Sequence, residues 1–188
     1  MNTTLNNELK NEIIRICHQN GAVDNLFMFE HIPPNKLKNA ISSYAPLIRD
    51  DEAIVFLFDD TLFGSANDGF ILTTKHLFSK NFAETRGGVA ISDIENITIK
   101  HGLSATINVQ AGINKLGITV TQVVGRSERN ALFEKLNSTV KLLKNTKIAG
   151  VGSSNNNVNQ VETPHNCRNC GAPLSEYSTR CEYCNSRN

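Results

Sequence analysis

Apolar residues recur at steps of three and four from Leu5 through Leu9, Ile13 and Ile16 to Cys17, with polar and charged positions between them. This is the stripe of an amphipathic helix. The following "HQNG" predicts its end, with Gly21 as the cap. In "IPPNKLKNAISSY" two prolines suit an entry turn, and Leu37, Ala40, Ile41 and Tyr44 share one face, which predicts a second, shorter helix. Both helices need a larger body to lie against. From Ala53 the pattern changes to short β-branched and aromatic runs, separated by glycines and small polar clusters about every ten residues, the spacing of an all-β barrel or sandwich. Strands are expected near 53–58, 69–74, 76–80, 88–91, 94–100, 104–110 and 116–123. In "GSANDG", between the first two, Asn67, Asp68 and Gly69 are expected to take the positive φ of a tight turn. After "VVGRS" the period is helical again, with Leu132, Phe133, Leu136, Val140 and Leu143 on one face and Ser127 as N-cap.

Residues 145–165, "NTKIAGVGSSNNNVNQVETPH", have no periodicity and are crowded with Asn, Ser and Gly, a composition that reads as a flexible tether. About twenty such residues separate their ends by about 25 Å. The expected organisation is α+β and mainly β: an N-terminal helical segment over 1–49, a two-sheet barrel with a capping helix over 50–144, the tether over 145–165 and a small cysteine module over 166–188. No internal repeat is present.

Composition narrows the function. Of 188 residues 39% are hydrophobic, enough for a real core, and 19 basic against 18 acidic side chains leave a formal +1. No overall field therefore draws the chain to nucleic acid or an anionic membrane. "MNTTLNNELKNE" lacks the basic-then-apolar pattern of a secretion signal, and the longest apolar run, "AIVFLF", falls far short of the roughly 20 residues that span a bilayer. A cytoplasmic location without a transmembrane segment is expected, where thiols stay reduced and paired Cys-x-x-Cys motifs read as metal ligands.

The decisive motif is "CRNCGAPLSEYSTRCEYC", in which Cys167 and Cys170 form one hook and Cys181 and Cys184 another, ten residues apart. Two such hooks suit a tetrahedral four-thiolate zinc site; a redox dithiol pair and metal-free cysteines are the other readings. Four thiolates leave no position for an activated water, so one structural zinc ion is expected, its binding free energy of about 10–16 kcal/mol replacing a core the segment cannot build. The stretch resembles the short zinc ribbon common at the ends of bacterial proteins, with Asn185 where a Gly is usual and Arg180 where an aromatic often stands. Its charges are mixed: Arg168, Arg180 and Arg187 against Glu176 and Glu182. That is not the basic stripe that phosphate binding needs, so a structural or protein-docking ribbon is favoured.

The stretch "DEAIVFLFDDTLFGSANDGFILTTKHLFSKN", with "GGVAISDIENITIKHG" and the helix "SERNALFEKLNSTVKLLK", resembles the bacterial pleckstrin-homology-like domain over about 50–144. The matching residues are Gly69, Phe70, Ile71, Leu72 and Thr73, then Ile91 to Ile94, then the helix from Ser127. The resemblance implies seven strands in two curved sheets with a C-terminal helix plugging one end, and a fold used for lipid binding, peptide binding and self-assembly alike. Members that bind inositol phosphates use Lys and Arg around the first strand turn. Here 50–74 contains Asp50, Asp51, Glu52, Asp59, Asp60 and Asp68 and no Lys or Arg, which speaks against phosphoinositide recognition.

No catalytic set emerges. Asp59 and Asp60 are adjacent on a strand, point to opposite faces, and read as solvated turn acids. Cys17 lies on the apolar stripe and does not face His18, so it reads as buried packing. His76 and His101 have no acidic or Cys partner nearby in sequence and read as satisfied or surface histidines. His165 could compete as a metal ligand, but the second hook completes the set. "FGSANDG" lacks the Lys-Ser/Thr ending of a nucleotide loop.

The expected function is a non-enzymatic interaction protein that docks a protein partner or self-associates, with the ribbon as a second contact that raises avidity. An edge strand such as 104–110 could pair with a neighbour. The alternative is a nucleic-acid or membrane-surface binder using the ribbon or Lys135, Lys141 and Lys144 of the closing helix.

Overall fold

The run "AIVFLF" does not alternate, and in the computed structural model of the chain it is buried on both faces. The chain divides between Val151 and Gly152. The structure describes residues 5–152, and of 147–152 the backbone alone.

Helix α1 spans Asn7–Gln19, started by the Asn6 side chain, which accepts from the Glu8 amide at 3.0 Å, and followed by Gly21 at φ 77°. Strand β1, Leu26–Met28, precedes a single 3-10 turn and helix α2, Pro34–Ser43, whose proline occupies the first turn where its missing N–H is not needed. Strands β2 (Ile54–Asp59), β3 (Gly69–Thr73), β4 (His76–Lys80) and β5 (Gly87–Ala90) follow. A further 3-10 turn leads to β6 (Ile94–His101), β7 (Ala105–Ala111) and β8 (Asn114–Val120), and the chain then enters helix α3, Arg126–Gly152. The described residues therefore form a mixed α/β body with three helices and two antiparallel sheets, ordered β1-β2-β3-β4-β5 and β6-β7-β8.

Two apolar cores explain the two textures of strand. Phe56, Phe58, Phe70, Leu72 and Leu77 face the second sheet, where Ile107, Val109 and Ile118 meet them, and Leu132, Leu136, Val140 and Leu143 of α3 with Ile13 and Cys17 of α1 complete this core. On the outer face of the first sheet, Leu57, Ile71 and Phe78 pack under Ala40 and Tyr44. Strands β2 and β3 are thus covered on both sides and carry continuous apolar runs, whereas β7 alternates because one face of its sheet meets water. Each fully buried large side chain stabilises by about 1.5–3 kcal/mol.

Several expectations need correction. The two sheets share no continuous strand ladder, so the barrel is not closed. Strand β1 carries too few residues to show a period and exists by pairing with β2, Leu26 opposite Phe58. In the β2–β3 loop the positive φ angles fall on Gly64, Ala66 and Gly69, not on Asn67 or Asp68. Gly69, at φ +130°, lies so close to β2 that a Cβ would stand 2.0 Å from the Phe58 carbonyl oxygen. Ser127 is inside α3 rather than its cap, since the Arg129 amide already donates to the Gly125 carbonyl at 2.9 Å. Helix α3 also continues to Gly152, through the first residues assigned to the tether. Strand β7, read as an edge, is the centre of its sheet.

Candidate functional site

Strand β6 is the outer strand of the three-stranded sheet and has α3 beside it. Between them lies a groove of about 280 Å³. Its floor is apolar: Ile94 and Ile97 from the strand and Val140 from the helix, all nearly buried. Its rim is polar, with exposed Glu95, Asn96, Lys141 and Asn145. The pairing of β6 with β7 shifts between Ile94 and Asn96, an irregularity at Glu95 of the kind that re-aims an edge strand. Lys144 reaches across from α3 and donates its Nζ to the Ile94 carbonyl, closing one end. Beyond it, the outer backbone edge of β6 has no strand partner among the described residues. An extended chain laid there would add a fourth strand and drop alternate side chains onto the floor. The titratable groups of the groove are Glu95, Lys141 and Lys144, and no nucleophile with a paired base lines it.

The opposite edge of that sheet is closed in part by side chains. The Asp60 carboxylate accepts from the Thr121 amide at 2.8 Å, the Thr121 hydroxyl at 2.9 Å and the Gln122 amide at 2.8 Å. Asn81 accepts from the Thr119 amide at 2.8 Å and donates to the Gly117 carbonyl at 2.9 Å. These bonds take the Gly117 carbonyl and Thr119 amide of β8 and the amides of the two residues from Thr121 that follow it, so side chains cap the C-terminal half of this edge, whereas on β6 Lys144 caps the Ile94 end alone.

Asp59 and Asp60 are not solvated turn acids. Asp59 is fully buried and receives Lys36 Nζ at 2.5 Å, the Thr61 amide at 3.0 Å and the Ala66 amide at 3.1 Å. Burial raises its carboxyl pKa, but the hydrogen bonds from Lys36 and Thr61 outweigh burial and hold it below the usual carboxylate value. Asp60 is pushed the other way, by burial first and by neighbouring Asp59, against the hydrogen bonds from Gln122 and Thr121. Both carboxylates organise the loop between β2 and β3 and tie it to its surroundings.

The remaining candidates are accounted for in the same way. Cys17 is buried and its thiol is pushed up by burial, while His18 beside it is exposed. His76 does have an acidic partner, distant in sequence: its Nδ1 lies 2.9 Å from Glu52, whose other oxygen accepts from the Thr73 hydroxyl at 2.5 Å. His101 Nε2 lies 2.9 Å from the Asn130 side chain. The acidic stretch 50–74 is balanced by cations from outside it, since Lys36 pairs with Asp59, Lys75 with Asp51, and Lys80 with Asp68.

The basic face expected on α3 does not form as read. Lys135 is 4% exposed and donates to the Cys17 carbonyl, and Lys144 is held at Ile94, which leaves Lys141 exposed. Burial lowers the pKa of Lys135. A further polar anchor invisible to spacing is Arg129, 8% exposed, whose guanidinium donates to the carbonyls of Val123, Gly102 and Leu103 at 2.6, 3.2 and 2.8 Å.

Cys167, Cys170, Cys181, Cys184 and His165 lie outside the described residues. Among the described residues no three His, Cys, Asp or Glu side chains gather to hold a metal, and no helix is long and apolar enough to cross a membrane. No family model, curated protein or solved structure matches the chain.

Proposed function

We propose that the chain is a non-enzymatic interaction protein whose body takes an extended segment of a protein partner, or of another copy, along the open edge of β6. The observation that carries this reading is the apolar-floored groove between β6 and α3, beside the edge of that sheet that side chains cap only at the Ile94 end. A pleckstrin-homology-like plan supports it: β2 to β5, then β6 to β8, then α3 follow the strand-and-helix order that the resemblance implies. In this reading β1, α1 and α2 are additions: β1 extends the first sheet, α1 packs into the core between the sheets, and α2 covers part of the first sheet's outer face. The donor set Cys167, Cys170, Cys181 and Cys184 suits one zinc ion held structurally, and the ribbon supplies a second contact whose effect is avidity.

The test places a photo-crosslinking amino acid at Asn96 on β6 and, as a control, at Thr106 on the central strand of the same sheet. In cells expressing the full chain, adducts with a discrete protein or with a second copy are expected from Asn96 and not from Thr106. Filling the groove with Asn137→Trp, a lining position on α3, should abolish them while thermal unfolding stays unchanged. Equal adducts from both positions, or adducts insensitive to the tryptophan, would overturn the reading.

A further inference from the structure

Helix α2 covers only part of the outer face of the first sheet. Over β4 and β5 that face remains open as a shelf of about 460 Å³. Its floor is Phe78 and the backbone of Gly88 and Ala90, and its wall is Tyr44, Pro46 and Leu47 at the exit of α2. Gly88 is required for this depth, because a Cβ there would stand 2.6 Å from the Phe78 ring. Leu47, 74% exposed, overhangs the shelf as an uncovered apolar side chain. Strand β5 is the last of its sheet, so its outer backbone edge is unpaired among the described residues.

The charges of the shelf have one sign. Arg49 and Arg86 are the charged side chains that line it, the His76 ring adds a polar lining group, and no acidic side chain lines it. Arg86 precedes the first residue of β5, while His76 faces Ala90 at the other end of the strand. Glu52 is buried behind His76 and bonded to its Nδ1, which leaves Nε2 as the ring's other polar atom. Arg49 lies 3.6 Å from the exposed Asp51 carboxylate, a long pairing, and Arg86 has no ion-pair partner among the described residues. From Gly87 to Ala90 the strand advances roughly 10 Å at about 3.3 Å per residue. Two separate cations on one shelf, Arg86 beside the start of β5 and Arg49 on the α2 side, match an elongated anion better than a compact one.

We propose that this shelf binds an acidic peptide segment in extended form, paired to the outer edge of β5, with an apolar side chain against the exposed Leu47 and carboxylates toward Arg86 and Arg49. Main-chain pairing supplies affinity in strand addition and the flanking groups supply selectivity. A single-stranded nucleic acid fits less well: Phe78 and Tyr44 are 6% and 1% exposed, so neither offers a ring face for base stacking. The inference deepens the interaction reading but uses a different edge from the β6 groove, so the two can fail separately.

The probe is a fluorescein-labelled ten-residue peptide of alternating glutamate and valine, titrated into the full-length protein and followed by anisotropy. Its alternating lysine–valine counterpart and an oligothymidylate serve as comparison ligands. Saturable binding of the acidic peptide alone is expected, weakening with added salt, and weakened about tenfold by Arg86→Glu or Arg49→Glu with circular dichroism unchanged. Amide shifts in the nuclear magnetic resonance spectrum should concentrate at Gly87 to Ala90. Equal binding of the lysine peptide, preferential binding of the oligonucleotide, no binding of the acidic peptide, indifference to both arginine substitutions, or shifts confined to β6 would each overturn the proposal. Loss of the β6 crosslink with acidic-peptide binding intact would sink the groove reading and leave this one standing.

Discussion

Lys36 Nζ lies 2.5 Å from Asp59 Oδ2, where the carboxylate has no solvent exposure and the ammonium side chain is 16% exposed. The pair fastens α2 to the end of β2, and the same ammonium donates to the Gly64 carbonyl in the loop that follows. Removing one partner of a buried pair leaves the other charge without compensation. Lys36→Met is therefore expected to lower the unfolding free energy by about 3–5 kcal/mol. Adding Asp59→Asn to that variant should recover part of the loss, a coupling that a double-mutant cycle from urea midpoints measures.

The two neighbouring aspartates give opposite acid responses. Asp59 is held below its ordinary value in the fold, against burial, by Lys36 and Thr61. Its contribution is complete above the unfolded carboxyl value of about 3.9 and is lost as pH falls from there through the folded value. Asp60 is raised by burial, so the folded state takes up its proton first and gains stability as pH falls from the folded value toward the unfolded one. Asp59→Asn should flatten the acid limb of stability against pH, and Asp60→Asn should steepen it. Denaturant titrations between about pH 3 and pH 7 report both slopes.

Asp60 should also be visible as an edge cap. Without its carboxylate, the Thr121 and Gln122 amides lose their acceptor. Asp60→Ala is expected to cost about 1–3 kcal/mol and to speed hydrogen exchange at those two amides at least tenfold. Exchange at the centre of β7 should change only by the global loss of stability.

Arg129 joins the start of α3 to the β6–β7 hairpin through carbonyls alone. Arg129→Met should destabilise by about 2–4 kcal/mol, because hydrogen bonds from a charged donor are worth about 1.5–3 kcal/mol. Lysine cannot restore it, since a single ammonium lacks the planar fork that reaches the Val123 carbonyl and the two hairpin-turn carbonyls at once. Thermal unfolding of Arg129→Lys is expected near that of the methionine variant.

The cysteine module makes a compositional prediction. Purified full-length protein should carry one zinc per chain, and Cys167→Ser or Cys184→Ser should release it. Thermal unfolding of the body should be unchanged by either substitution, because the chain divides into two units between Val151 and Gly152 and the four cysteines belong to the second. Elemental analysis together with calorimetry decides both points.

Hydropathy alone located most elements of the body. Helices α1 and α2 carry stripes at steps of three and four, and α3 carries Leu132, Leu136, Val140 and Leu143. Strands β2 to β8 fall within a few residues of the runs that announced them. Such periods are local: the neighbours of a residue on the same face are a few positions away, so the order of types records which face meets the core. The missed strand β1 is short, and its pairing with β2 comes from across the fold.

Polar assignments depended on distance in space. Asp59 sits where turn acids commonly sit, and it is buried because Lys36, twenty-three positions earlier, returns over it. His76 meets Glu52, and Lys135 meets the Cys17 carbonyl, across still unrelated stretches of chain. The pattern of apolar positions by itself determined the helices and all the strands of the body except β1. Only the folded chain decided which charges are buried and which strand edges stay open, since a charge is tolerated inside only where a partner remote in sequence arrives to meet it.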